Sequence, residues 1–317
     1  MARSTSAVTS PTPVSPPREM GGFISGRLTR LARFGLFLLP LACGRPAAEA
    51  AGARVIDDAG DTVAVRTPAR RIASLIPATT ELLFAIGAGD AVVGRTTWCD
   101  YPPQATRVAN LGDGMQPSLE AVLAVRPDLV LLYNSPQNAG AAQQLRRLGV
   151  PALLLTTDGL ADVGRLARLL GGITSHGHAA DSLDAAFERA LASASPPAPA
   201  HRPTVLLLVW EQPPMTVGRG SFLSELVHRA GGENLFEDIG PSSGTVSIEA
   251  VAARDPDLIL TTSDGPQGFA RRPEWQAVRA VREHRFLRVS GSEFSRPGPR
   301  SPMAIRELAR RIEERAR

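Results

Sequence analysis

The chain has 317 residues, 43% hydrophobic and 21% charged, a length that makes two domains the first expectation. Its formal charge of +4 arises in residues 1–42, where Arg3, Arg18, Arg27, Arg30 and Arg33 face only Glu19. The remainder balances 30 Arg against 30 acidic residues, with no Lys at all, and lacks the basic excess that a nucleic-acid surface would need.

The first segment is an address. Residues 1–19 are rich in Ser, Thr and Pro, a disordered lead-in or a start assigned upstream of Met20. From Met20 the pattern is a signal peptide: Arg27, Arg30 and Arg33, then the apolar stretch Phe34 to Ala42, too short to span a bilayer. Cys43, between Ala42 and Gly44, resembles a lipobox cysteine that is acylated and becomes the new N-terminus, although Pro40 stands where that motif prefers Leu. Cys99 is the only other cysteine, so no intramolecular disulfide remains after lipidation and no Cys-rich metal site can form. Beside Trp98 and a Pro-rich turn, Cys99 is expected to be a small buried hydrophobe.

Arg54 to Val65 reads as a β-hairpin around an Asp/Gly turn, Arg71 to Pro77 as a buried strand, and Thr79 to Gly87 as a helix capped by Thr and stopped by Gly. Strands then alternate with helices, which predicts an α/β fold with mostly parallel sheets. Ser118 to Leu131 recurs as Ser247 to Leu260: a Ser-capped helix with Glu in its first turn, a Pro-Asp stop and an apolar strand. The spacing is too long for a solenoid unit, so the chain is two copies of one lobe. Residues 175–195 repeat apolar positions at helical spacing and end in a Pro-rich stretch. The predicted layout is a signal peptide over 1–42, an N-terminal lobe over 54–174, a long connecting helix over 175–195 and a C-terminal lobe over 202–317, with the ligand between lobes.

Several features carry no chemistry on this reading. The glycines at 87 and 89 close a helix instead of opening one, so they are not a nucleotide loop. His176 and His178 lack a partner at helical spacing and are expected on the surface, with no metal. No Gly-x-Ser-x-Gly elbow or triad pattern occurs, and no cofactor is expected.

The run Arg71 to Leu82, Cys99 to Ala105, the two Glu-Ala-Val repeats, Gly231 to Phe236, and Arg296-Pro297-Gly298-Pro299-Arg300 together resemble the helical-backbone periplasmic solute-binding proteins of ABC importers, closest to the cobalamin-binding branch. The resemblance implies a non-enzymatic, monomeric, exported protein, lipid-anchored at Cys43, that delivers a corrinoid such as cobalamin to a permease and ATPase complex. A ferric siderophore or haem is the alternative ligand; a tetrapyrrole-acting enzyme and a ligand-free adaptor are the rivals. It further implies ligand contacts at Trp98, Tyr101, Asp113, Tyr133, Trp210, Glu211, Ser292, Glu293, Phe294, Ser295 and Arg296, and transporter docking through Glu120 and Glu249. Two aromatic positions of that branch are replaced here, by Gly112 with Asp113, and within Gly240 to Gly244.

Overall fold

The computed structural model describes residues 52–196, 201–240, 243–262 and 268–316, all within one compact body. Residues 1–42 and Cys43, with the expectations placed on them, lie outside the described residues.

Strands β1 (Gly52–Ile56) and β2 (Thr62–Arg66) form the expected antiparallel hairpin. Its turn is fixed by Asp57, whose Oδ1 accepts from Ala59 N and Asp61 N. The first lobe then runs β3 (Ile72–Ser74), α1 (Pro77–Ala85), β4 (Val92–Arg95), α2 (Leu119–Ala124), β5 (Leu129–Tyr133), α3 (Pro136–Arg147) and β6 (Ala152–Leu155). Its four strands are all parallel, in the order β4-β3-β5-β6. Helices α4 (Ala161–Thr174) and α5 (Gly177–Ala194) follow, joined at Ser175 in the left-handed conformation. The second lobe contains β7 (Thr204–Leu208), β8 (Trp210–Glu211), β9 (Pro214–Val217), α6 (Phe222–Arg229), β10 (Glu233–Asn234), β11 (Ser243–Thr245), α7 (Ile248–Arg254), β12 (Leu258–Thr261), α8 (Arg279–Arg282), β13 (Phe286–Arg288) and α9 (Ser301–Ala316). Its main sheet is again parallel, β10-β7-β12-β13, with a small antiparallel sheet β11-β9-β8 beside it.

Parallel strands need crossover helices, which cover both faces and leave the strands apolar throughout. Leu129 to Leu132 of β5 and Leu258 to Leu260 of β12 are accordingly buried without alternation. One apolar cluster joins α1 and β3 of the first lobe, α4 and α5, and β7, α6 and α9 of the second. Separate clusters fill the outer faces, around Val130 and Leu145 in one lobe and around Phe269 and Trp275 in the other. A core shared by both lobes and the helices between them opposes free hinge motion.

The repeat is structural as well as sequential. Ser118 Oγ accepts from Ala121 N at the start of α2, and Ser247 Oγ accepts from Ala250 N at the start of α7. Each helix is followed by a non-glycine residue at positive φ, Arg126 at 47° and Asp255 at 43°. The Asp of each Pro-Asp pair then clamps the start of the neighbouring strand: Asp128 accepts from Arg70 N and Arg71 N, and Asp257 from Thr204 N.

One local expectation is corrected. Helix α1 begins at Pro77, whose missing N–H suits the first turn, and has no side-chain cap. Thr79 and Thr80 lie inside it, both buried, bonding Ile76 O and Ser74 Oγ respectively. Past its end, Gly87 takes the left-handed φ of 83° that stops the helix. Cys99 is buried and free, with Sγ 3.2 Å from the hydroxyls of both Thr80 and Thr96.

Candidate ligand cleft

In open parallel α/β sheets, ligands gather at the carboxyl ends of the strands. Most residues singled out from the sequence lie there. Trp98 and Tyr101 follow β4, Tyr133 ends β5, Trp210 and Glu211 follow β7, and Ser292 to Arg296 follow β13. A pocket of about 500 Å³ opens between the two sets of strand ends. The first lobe lines it with Tyr133, Thr157 and Asp158, the second with Gly220, Ser221, Phe222, Ser295, Arg296 and Pro297. The structure therefore brings Tyr133, Ser295 and Arg296 together at one site.

Tyr133 donates its phenol to Asp158 Oδ1 at 2.7 Å. Burial and that carboxylate push the phenol up to about 12, so it is a protonated donor and an aromatic wall at neutral pH. The two indoles predicted as walls, Trp98 and Trp210, stand 62% and 61% exposed and neither is among the residues that line this pocket, while Trp275 is fully buried against Phe269 with ring centroids 4.8 Å apart. Trp210 is steadied by its Nε1, which donates to Gln212 O at 2.9 Å. Met115, 70% exposed in the loop before α2, is a further apolar side chain that the sequence did not single out.

Other predicted contacts are engaged inside the protein. Asp113 Oδ1 accepts from Met115 N and Gln116 N and closes their turn. Glu211 Oε2 accepts from Phe269 N, tying the β8 end to the segment after β12. Ser292 Oγ accepts from Arg300 Nη2, Glu293 pairs with Arg300, and Ser295 Oγ donates to Ser292 O. Phe294, expected at the ligand, is instead 5% exposed in the shared core, because the short helical turn Ser292–Phe294 points it inward. Tyr101 does not reach the cleft pocket. It lines a different one, of about 690 Å³, with the Arg300 guanidinium 4.0 Å above its ring.

The sequence reading also missed Glu81, a buried carboxylate bound by Arg300, and Asp158, the partner of Tyr133. Glu81 was the available signal, as the sole charge within the mostly apolar Ile72 to Ile86. Glu120 and Glu249 sit exposed in the first turns of α2 and α7, and among the described residues neither has an ion-pair partner. Each of these helices leads into the amino end of a parallel strand, β5 or β12, so its first turn, with the carboxylate, lies toward the opposite, carboxyl ends of the strands. His178 is exposed and His176 half-buried, its Nδ1 2.8 Å from Thr174 O. No group of three or more His, Cys, Asp or Glu among the described residues is placed to hold a metal.

Comparison with known proteins places this arrangement. The family model described as "Periplasmic binding protein" matches residues 72–291. An uncharacterized ABC transporter substrate-binding lipoprotein, YvrC of Bacillus subtilis (strain 168), is 31% identical over 81% of this chain and 84% of its own. Among solved structures, the periplasmic heme-binding protein RhuT from Roseiflexus sp. RS-1 superposes with a TM-score of 0.69 at 27% identity, over 78% of this chain and 100% of that one. The periplasmic vitamin B12 binding protein BtuF of Vibrio cholerae does so with a TM-score of 0.63 at 25% identity, over 78% and 98%. Proteins of this family are solute-binding proteins rather than enzymes. With twin parallel sheets whose carboxyl ends enclose one pocket, and with a family match across both, the chain belongs to the periplasmic binding proteins and is an exported substrate-binding protein of an ABC importer, which binds a small ligand and delivers it to a permease and ATPase complex.

Proposed function

We propose that the protein captures cobalamin or a closely related corrinoid between its lobes. The observation that carries this reading is the pair of exposed indoles, Trp98 and Trp210, one at the strand ends of each lobe. Flat, rigid aromatic faces bury much area against a macrocycle at little rotamer cost. The vitamin B12-binding relatives support the same ligand class. The likeness to a heme-binding protein keeps haem as the second reading.

The protein works as a monomer held on the membrane by lipid on Cys43. That anchor is supported by the Arg-rich and apolar run ending at the thiol and by the lipoprotein name of the Bacillus relative. Docking runs through Glu120 and Glu249, exposed at equivalent corners of the two lobes. The test of the ligand is native mass spectrometry of the purified protein, followed by competition among cyanocobalamin, cobinamide, haemin and ferric siderophores. Retention of a corrinoid, displaced by cyanocobalamin and not by haemin, is expected; preferential retention of haem would replace the reading.

A further inference from the structure

A network of ions joins the two lobes directly behind the Trp98 loop. Arg300 forks onto Glu81, Nε to Oε1 at 2.9 Å and Nη2 to Oε2 at 3.0 Å, and also holds Glu293 and the ring of Tyr101. Arg296 Nη1 donates to Trp98 O at 2.8 Å, and its Nη2 pairs with Asp100. Its Nε is buried without a hydrogen bond, 4.0 Å from Glu81 Oε2, so Glu81 lies between both guanidiniums. Gly298 of the run Arg296 to Arg300 packs closely on the same carboxylate: a Cβ there would come 3.3 Å from Glu81 Oε1. Burial alone would push the Asp100 carboxyl up; the Arg296 hydrogen bond and charge outweigh it and hold the group below its usual value. The pair is therefore ionised at neutral pH.

We propose that Arg296 is an interlobe positioning residue: it fixes the loop carrying Trp98 against the second lobe and so sets how long a ligand stays in the cleft. Both terminal nitrogens of Arg296 are engaged by the first lobe, although the side chain borders the cleft pocket. It acts on the ligand through the Trp98 backbone. The geometry needs a planar fork, which Lys lacks. Only the effect on a corrinoid rests on the proposed function; the effect on the loop does not.

The experiment compares wild type, Asp100→Asn, Arg296→Gln, their double variant and Arg296→Lys. Asp100 is more than half exposed, so its variant is the one least exposed to folding failure. Hydrogen exchange of the amides of residues 97–101, corrected for intrinsic rates, is expected to lose about tenfold in protection in each single variant, with no further loss in the double. Arg296→Lys should fall between, and protection in α4 and α5 should stay as in wild type. Cyanocobalamin dissociation, followed by its absorbance, should accelerate about five- to tenfold in both singles, while association stays within about twofold. Wild-type loop protection in both singles overturns the proposal. So does faster dissociation in Arg296→Gln with none in Asp100→Asn, the signature of a direct ligand contact. If wild type binds no cyanocobalamin, the corrinoid reading fails and the exchange measurement still decides the positioning role.

Discussion

Removing the carboxylate of Glu81 is the most informative perturbation of the fold, because it strips a buried guanidinium of its main partner. Glu81 is 3% exposed and accepts two charge-assisted hydrogen bonds from Arg300. Breaking a buried pair by removing one member costs about 3–5 kcal/mol. Arg300 keeps Glu293 and the hydroxyl of Ser292, so Glu81→Ala should fall at the low end, about 3 kcal/mol. Taking about 2–4 °C per kcal/mol for a body of this size, the melting temperature should drop by about 6–12 °C. Arg300 stays charged throughout: burial lowers its affinity for the proton, but Glu81 and Glu293 raise it by more. Adding Arg300→Met should recover about half the loss, because the second substitution removes the stranded charge. Urea unfolding followed by far-UV circular dichroism measures both. A loss below about 0.5 kcal/mol for Glu81→Ala would refute the view that this pair joins the lobes.

Trp98→Ala and Trp210→Ala should each weaken cyanocobalamin binding about tenfold or more, since a stacking wall contributes on the order of 1–3 kcal/mol, with melting near wild type. Tyr133, raised to about 12 from an ordinary value of 10, contributes stability that is complete below pH 10 and lost as the pH rises through 12. A spectrophotometric titration of wild type against Tyr133→Phe should show the missing phenolate step near 12, and a step near 10 would contradict the Asp158 bond. Glu120→Ala with Glu249→Ala should bind ligand normally yet fail to stimulate the transporter's ATPase, and wild-type docking should weaken as salt rises. Wild-type stimulation by the double variant would reduce both carboxylates to helix-end charges. Cys43→Ser should release the protein from the membrane fraction, and a variant that stays membrane-bound would place the anchor elsewhere.

The sheets were legible because parallel strands covered on both faces are written as uninterrupted apolar runs, as in Leu129 to Leu132 and Val205 to Leu208. The duplication was legible because its Ser cap, turn and Asp clamp are local, each acting over a few residues or on the adjacent strand. The pairing of Glu81 with Arg300 was not, since 219 residues separate them and no short-range pattern announces such a contact. Thr79 and Thr80 looked like caps because hydroxyls favour helix starts, but Pro77 had already begun the turn. Phe294 misled for a different reason. An aromatic in a loop between Ser and Glu reads as exposed, yet one short helical turn was enough to direct it into the core.

The frame of the molecule is duplicated while the placement of its two exposed indoles is not. Trp98 follows β4, an edge strand, whereas Trp210 follows β7, whose counterpart in sheet order is β3. The end of β3 carries Ser74 and leads almost directly into α1, leaving no loop there on which to mount an aromatic. On the proposed function, indoles from equivalent strands would admit a ligand equally well after a half-turn, whereas these, from non-equivalent strands, would hold it in one orientation. The carboxylates of Glu120 and Glu249 do come from equivalent helices, and equivalent corners are what a two-fold permease would engage at both ends simultaneously. On the proposed function, docking and ligand choice draw on different parts of the chain, the repeated helices for one and the unrepeated strand-end loops for the other. Such a division would let one frame serve relatives named for vitamin B12 and for heme at similar identity.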